Sequence, residues 1–359
     1  MGERTAHVHL KYGLDVARYR QKSLRGEVPD VTPYGFHHAE SMGWRLTYSV
    51  DTAESAAIDF LRRALTRLLG FDIVHAYRNR KLILAADIVW TMEEVQFLAV
   101  CALPLVVPGT PRVRLIAQTV WLFNKWKTFS PLRCAMLRRL LLRADALTFH
   151  SNQYLDLVRR LVPGGEPRLL PFGISLDSFP WSEPEIQMHT PRRILSMGSD
   201  PTRDWKTLLE AFGNDDRFEI VVICGWLTDV TAARYKNLRV PRNPSMQEFR
   251  ELYRWADLVV VPMVSNLYSG ITVALEATSL GKPVVSSDTG GIPTYFAPDE
   301  VVYVPPSDPV ALRERVLGCS ADQLTTYVER AQARFRRQDY STRGMARRYV
   351  ELSERLLQS

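Results

Sequence analysis

Residues 258–296 constrain the fold more than any other stretch, because they spell a complete strand–helix–strand unit with its punctuation in place. Residues 258–261 (LVVV) are apolar and β-branched, as a buried strand requires. A polar loop follows, a helix opens at Gly270, a second strand covers residues 283–287, and Gly290-Gly291 makes a turn. Such a βαβ unit delivers a helix N-terminus to the carboxyl edge of a parallel sheet. Unpaired N–H groups and the positive end of the helix dipole favour a phosphate there. Glu276 stands four residues after Thr272, so a carboxylate and a hydroxyl share the helix face beside that anion site. A diphosphate carrying a ribose fits this constellation.

A chain of 359 residues has room for two α/β domains, each with its own core. Hydrophobic residues at 46% and charged ones at 24% are globular values. The net charge of +7 favours anionic partners, whether nucleotide diphosphates, anionic lipid or nucleic acid. Four cysteines, widely spaced and without a C-x-x-C pair, argue against a disulfide framework or a zinc knuckle and make a reducing cytosol the simplest compartment. No apolar run reaches the roughly 18 residues that span a bilayer. The opening MGERTAHVHL lacks a signal-peptide core, and Ala6 breaks the myristoylation pattern.

Read in order, residues 6–12, 44–50, 71–76 and 86–91 are expected strands, with helices over 36–42 and 53–69 and Gly70 past the end of the second. Strand and helix alternate as in a parallel doubly wound sheet. No G-x-G-x-x-G occurs, which removes the main support for a dinucleotide-binding oxidoreductase. His7 and His9 alternate onto one strand face, but no third ligand at metal spacing accompanies them. Glu93-Glu94 follow a strand end, at the edge where open α/β sheets bind ligands. Glu93 there suits a base taking a proton from an acceptor hydroxyl; equally, two acids in a first helical turn are stabilised by the dipole. Residues 112–143 interleave tryptophan and phenylalanine with arginine and lysine. That mixture suits docking on anionic headgroups, or a buried strand followed by a core helix with solvated arginines. In the second half, residues 193–198 form a strand ending in Gly198, a polar loop follows, and Ser245 with Glu248 makes a capping box.

The block Glu276-Ala277, Gly281-Lys282-Pro283-Val284-Val285, Gly290-Gly291 and Pro293 resembles the nucleotide-sugar signature of family 4 glycosyltransferases of GT-B fold. Residues 168–179 (RLLPFGISLDSF) are similar to the strand and turn that close the N-terminal domain in that family. The resemblance implies two Rossmann-like domains with a catalytic cleft between them and a C-terminal helix crossing back. The implied boundaries are 1–186 for an acceptor-binding domain, 187–338 for a donor-binding domain and 339–359 for the returning helix. It gives Glu276 the ribose, and Gly198, Arg203, Lys206, Ser269, Gly270, Ile271 and Thr272 the donor diphosphate, with Asn243 near the base. Gly35, His37 and Trp121 fall on the acceptor side. The chain departs from the family twice. Tyr268 stands where a glutamate is usual at the donor sugar, and the region of Gln118 and Trp121 lacks the usual histidine. Glu93 and Tyr268 are therefore the expected catalytic positions.

The expectation is thus a metal-independent, cofactor-free glycosyltransferase, moving a sugar with retention from a nucleotide-diphosphate donor to a saccharide or lipid-linked acceptor in bacterial glycan or glycolipid synthesis. It would be cytoplasmic, at or near the inner face of the plasma membrane, and would not bind nucleic acid. The alternatives are a non-catalytic nucleotide-sugar-binding subunit, an inverting GT-B transferase and a sugar-nucleotide epimerase.

Overall fold

The computed structural model describes residues 4–358, and the chain forms two compact units. One runs through Pro171 and takes in the stretch from Thr342 onward; the other is Phe172–Ser341.

The first unit holds β1 (Arg4–Val8), β2 (Trp44–Tyr48), β3 (Ile88–Trp90), β4 (Arg114–Thr119), β5 (Ala146–Phe149) and β6 (Pro167–Leu169). They form one parallel sheet in the order β2-β1-β3-β4-β5-β6. Its helices are α1 (Val16–Leu24), α2 (Ala56–Leu69), α3 (Ile73–Arg78), α4 (Arg80–Ala85), α5 (Glu94–Val106), α6 (Pro131–Leu141) and α7 (Leu155–Leu161). Residues 71–76, read above as a strand, instead lead into α3. The Asp72 carboxylate accepts the His75 amide at 3.0 Å, so an N-cap overrides a short apolar run. The helix expected over 36–42 is a 3-10 stretch, Pro33–Met42, kinked by left-handed Tyr34 and Gly35. Residues 112–143 resolve into β4, a 3-10 turn at Trp126–Thr128 and α6. Leu122, Phe123 and Trp126 of that segment are buried in the core, while Lys125 and Lys127 are exposed.

The second unit holds β7 (Arg192–Met197), β8 (Phe218–Ile223), β9 (Leu238–Arg239), β10 (Leu258–Val261), β11 (Val284–Ser287) and β12 (Val302–Val304). The sheet is again parallel, ordered β12-β11-β10-β7-β8-β9. Its helices are α8 (Trp205–Phe212), α9 (Asp229–Ala232), α10 (Met246–Trp255), α11 (Ile271–Ser279), α12 (Ile292–Tyr295), α13 (Pro309–Gly318) and α14 (Ala321–Gln338). Successive residues of β10 enter opposite layers: Val259 and Val261 pack with α11, Leu258 and Val260 with α8 and α13. Burial on both faces explains why this strand reads as a continuous apolar run. The strand order reverses between β7 and β10, which makes their carboxyl ends a topological switch point.

The last helix, α15 (Thr342–Gln358), belongs to the first unit. Tyr349 packs edge-on against Phe36 at 4.9 Å and donates its hydroxyl to Thr91 O at 3.0 Å, and the Trp90 indole N–H donates to Ser353 Oγ at 2.8 Å. Among the described residues no helix is long and apolar enough to cross a membrane.

Candidate functional site

At the switch point of the second unit two loops leave the sheet side by side. Residues 198–204 connect β7 to α8, and residues 262–270 connect β10 to α11. Backbone bonds stitch them together, from Asp204 N to Pro262 O at 3.0 Å and from Val264 N to Thr202 O at 2.9 Å. The Asp200 carboxylate lies between them. Its Oδ1 accepts the Thr202 hydroxyl at 2.5 Å and the Ser269 hydroxyl at 2.9 Å, and its Oδ2 accepts Arg203 Nε at 2.8 Å. Burial pushes the Asp200 pKa up, but the Arg203 charge and these hydrogen bonds outweigh it and hold the group below its usual value. Arg203 is itself buried, and its Nη1 has no hydrogen-bond partner among the described residues. Burial lowers its pKa while Asp200 opposes the shift. Gly198 has φ 141°, and a Cβ there would collide with the Arg203 guanidinium, so the glycine is what lets the arginine lie against the strand end.

The second wall is the start of α11. Gly270, at φ 94°, occupies the N-cap without a side chain to satisfy the first-turn amides. The Ser269 amide, expected to face a phosphate, is already donated to Asn266 Oδ1 at 2.8 Å, as is the Tyr268 amide at 2.9 Å. The capacity for an anion therefore lies further on, in the first helical turn at Ile271 and Thr272. Ile271 is buried in the core, so only its backbone can serve; Thr272 is exposed.

One turn deeper, Glu276 is buried and accepts the Tyr253 hydroxyl at 2.7 Å. Burial pushes its carboxyl up to about 8, against the lowering effect of that hydrogen bond. Tyr253, on α10, is pushed far above its ordinary value by burial and by Glu276. Gly198, Arg203, Ser269, Gly270, Ile271, Thr272 and Glu276 thus gather at one sheet edge. Lys206 and Asn243 do not join them. The Lys206 side chain is 83% exposed and pairs with Glu210 at 3.7 Å. Asn243 is exposed in the loop after β9, the edge strand on the far side of β8. Tyr268 is half-buried against the α11 core.

The first unit presents its own switch point between β1 and β3. There Glu93 accepts Lys11 Nζ at 3.2 Å and the Tyr34 hydroxyl at 3.4 Å. Its neighbour Glu94 turns inward and accepts the amides of Val120, at 3.1 Å, and Trp121, at 3.2 Å. Burial raises the Glu94 pKa, while those amides oppose the rise. Two adjacent acids thus divide their work: Glu94 fixes the loop carrying Trp121, and Glu93 stays partly exposed at the sheet edge. A Cβ on Gly35 would collide with Thr342 and lie 2.7 Å from Asp30 Oδ2, so Gly35 packs against the start of α15. His37 is tied locally, with its amide donating to Thr32 Oγ1 at 3.1 Å and its Nδ1 at 3.8 Å from Asp30. Asp30, His37 and His38 are the one set of three metal-ligand types whose ligand atoms lie within 4.8 Å of one another, among the described residues. His7 and His9 bond Thr47 Oγ1 and Ser49 Oγ through Nδ1, at 2.9 and 2.8 Å. Burial lowers both, His7 to about 3, so they are neutral core groups.

Sequence reasoning missed Asp200, Thr202 and Tyr253. The tripeptide Asp-Pro-Thr after a strand-ending glycine carries a turn signal, but nothing local tells that its acid folds back onto Ser269. Tyr253 reaches Glu276 only through packing of α10 on α11.

Two doubly wound parallel units, one with an uncapped helix N-terminus and a buried acid at its switch point, define the GT-B class of glycosyltransferase fold. Within that class, residues 189–322 match the family model described as glycosyl transferases group 1, and the chain resembles the family 4 enzymes. It is 28% identical over 172 residues to the D-inositol 3-phosphate glycosyltransferase of Corynebacterium efficiens, an alignment covering 44% of this chain and 34% of that protein. The chain thus spans about a third of the length of that curated relative. Sucrose-phosphate synthase from Thermosynechococcus elongatus superposes with a TM-score of 0.71 at 16% identity, covering 98% of this chain and 99% of that one. Anabaena Alr3699/HepE in complex with UDP and glucose does so with a TM-score of 0.66 at 11% identity, covering 98% and 99%.

Proposed function

We propose that the protein is a glycosyltransferase that moves a sugar from a nucleoside-diphosphate donor to a saccharide or lipid-linked acceptor in bacterial glycan or glycolipid synthesis. The observation that carries this reading is the cradle at the β7/β10 switch point, with the uncapped start of α11, buried Arg203 and buried Glu276 at a single edge. The leaving diphosphate lies on the first-turn amides and the guanidinium, which neutralise its developing charge and replace a metal. Glu276 holds the ribose hydroxyls. Glu93, at the edge of the first unit, receives the acceptor proton; Gly35, His37 and Trp121 shape the acceptor side, and Tyr268 faces the donor sugar. Transfer proceeds with retention, and the protein works on the cytoplasmic side. The UDP complex of the Anabaena neighbour supports a uridine donor as the first to try.

Thermal-shift screening against UDP-, GDP-, ADP- and dTDP-sugars tests the cradle, because a ligand that binds only the folded state raises the melting point. One base should stabilise the protein, and radiolabelled donor should then be consumed, with proton NMR of the product reading the anomer. Stabilisation by none of the four ends this reading.

The second reading, a nucleotide-sugar-binding subunit without turnover, draws on Asp200 and Tyr268. The first puts a negative charge inside the cradle, and the second removes the family's carboxylate from the donor sugar. Tight nucleotide binding with no release from any donor selects it.

A further inference from the structure

Helix α2 is folded inside out. Its one buried residue is Arg62, whose guanidinium meets Glu54 at 2.9 Å, Asp59 at 2.6 Å and Asp72 at 2.9 Å. Its large apolar side chains point outward instead: Phe60 and Leu68 are each 74% exposed, Leu61 59% and Ile58 45%. Ala57, Phe60, Leu61, Ala64 and Leu68 recur at spacings of three and four, so they form one continuous stripe along the helix. A helix that spends its polar anchor on the core and its apolar stripe on solvent needs a further occupant for that stripe.

The charges beside the stripe say which occupant. Asp59 is engaged by Arg62 and Arg63, and Glu54 by Arg62 and Arg78, so the acids of this region are already neutralised. Arg63 and Arg67 are exposed on one flank of the stripe. At its C-terminal end Arg133 Nη2 comes within 2.6 Å of where a Cβ on Gly70 would stand, and next to that arginine Leu132 is 82% exposed. Lys125 and Lys127, which precede α6 in the chain, are also exposed. An apolar stripe edged by cations is the pattern of a helix lying in a membrane interface. A second copy of this chain fits less well, because a twofold contact would set like-charged arginines against each other.

We infer that α2, with the start of α6, is a docking surface for a bilayer bearing anionic headgroups. The stripe enters the headgroup–acyl boundary while exposed Arg67, on the flank it shares with the Asp59-paired Arg63, meets lipid phosphates. This surface belongs to the first unit and the nucleotide cradle to the second, and either could fail without the other.

The test is co-flotation of the full chain with vesicles of phosphatidylcholine alone and of phosphatidylcholine mixed with phosphatidylglycerol. Binding is expected to the mixed vesicles, to weaken as salt is raised, and to fall at least ~10-fold in the double variant Phe60→Ser, Leu68→Ser, since each lost side chain removes apolar area from the interface. Leu317→Ser, at an exposed position of the second unit, should bind as the parent does. Equal melting points of parent and double variant certify folding. Absence of binding to mixed vesicles, binding undiminished in the double variant, or a dimer by analytical ultracentrifugation that the double variant abolishes, overturns the inference.

Discussion

Replacing Glu276 with glutamine separates a binding role from a packing role. Burial lifts its carboxyl from 4.5 to about 8. Between those values the folded protein keeps a proton that the unfolded chain releases, so the unfolded state binds fewer protons and stability falls as pH rises. The loss is complete above about pH 8, and about 3.5 pH units at about 1.4 kcal/mol each make it about 5 kcal/mol. A glutamine has the same shape, carries no charge to desolvate, and can still accept the Tyr253 hydroxyl, now held at 2.7 Å. Allowing about 1–2 kcal/mol for amide hydrogens left without partners, Glu276→Gln should stabilise the second unit by about 3 kcal/mol at pH 8, or roughly 6–12 °C in Tm. The gain should shrink toward nothing near pH 5. Differential scanning calorimetry across that range reads it, and isothermal titration with UDP above pH 8, where the parent acid is ionised, reads the cost, since the amide cannot take two ribose hydroxyls as a carboxylate does. A variant that follows the parent's Tm in parallel from pH 5 to 8 would refute the account of a buried, protonated acid. Undiminished UDP affinity would refute the ribose contact.

Other substitutions probe the same geometry. Asp200→Asn removes a negative charge that a phosphate in the cradle would meet, worth about 1–3 kcal/mol after screening; UDP should bind at least ~10-fold more tightly by titration calorimetry, and unchanged or weaker binding would place the diphosphate elsewhere. Ser353→Ala strands the buried Trp90 indole N–H, now bonded at 2.8 Å. It should cost about 1–3 kcal/mol, seen as a lower transition for the first unit with that of the second unit in place.

The β10–α11–β11 segment was legible because each boundary carries its own local chemistry: a β-branched run, a glycine N-cap, a Gly-Lys-Pro strand entry. Asp200 was not, because its role comes from a loop-to-loop contact across 69 residues of chain, and sequence patterns report periodicity and caps, not which acid folds into which hydroxyl. Glu93 and Glu94 show the same limit at shorter range. They were read together at a sheet edge, and only the path of residues 119–121 decides that Glu94 turns inward. Residues 71–76 misled in the opposite direction: the apolar run was strand-like, yet Asp72 capped a helix from within it. The aromatic residues of 112–143 matched a membrane-docking composition, but Phe123 and Trp126 stack on each other at 5.1 Å in the interior, whereas α2 shows its inverted burial only in three dimensions.

The closing helix α15 imposes an order of events on synthesis. Trp90 and Thr91 obtain their partners from Ser353 and Tyr349, more than 250 positions later. A nascent chain emerging from the ribosome can therefore complete its second unit while the first still lacks a wall. The first unit would then be the last to settle, exposing Phe36 and Trp90 for the interval.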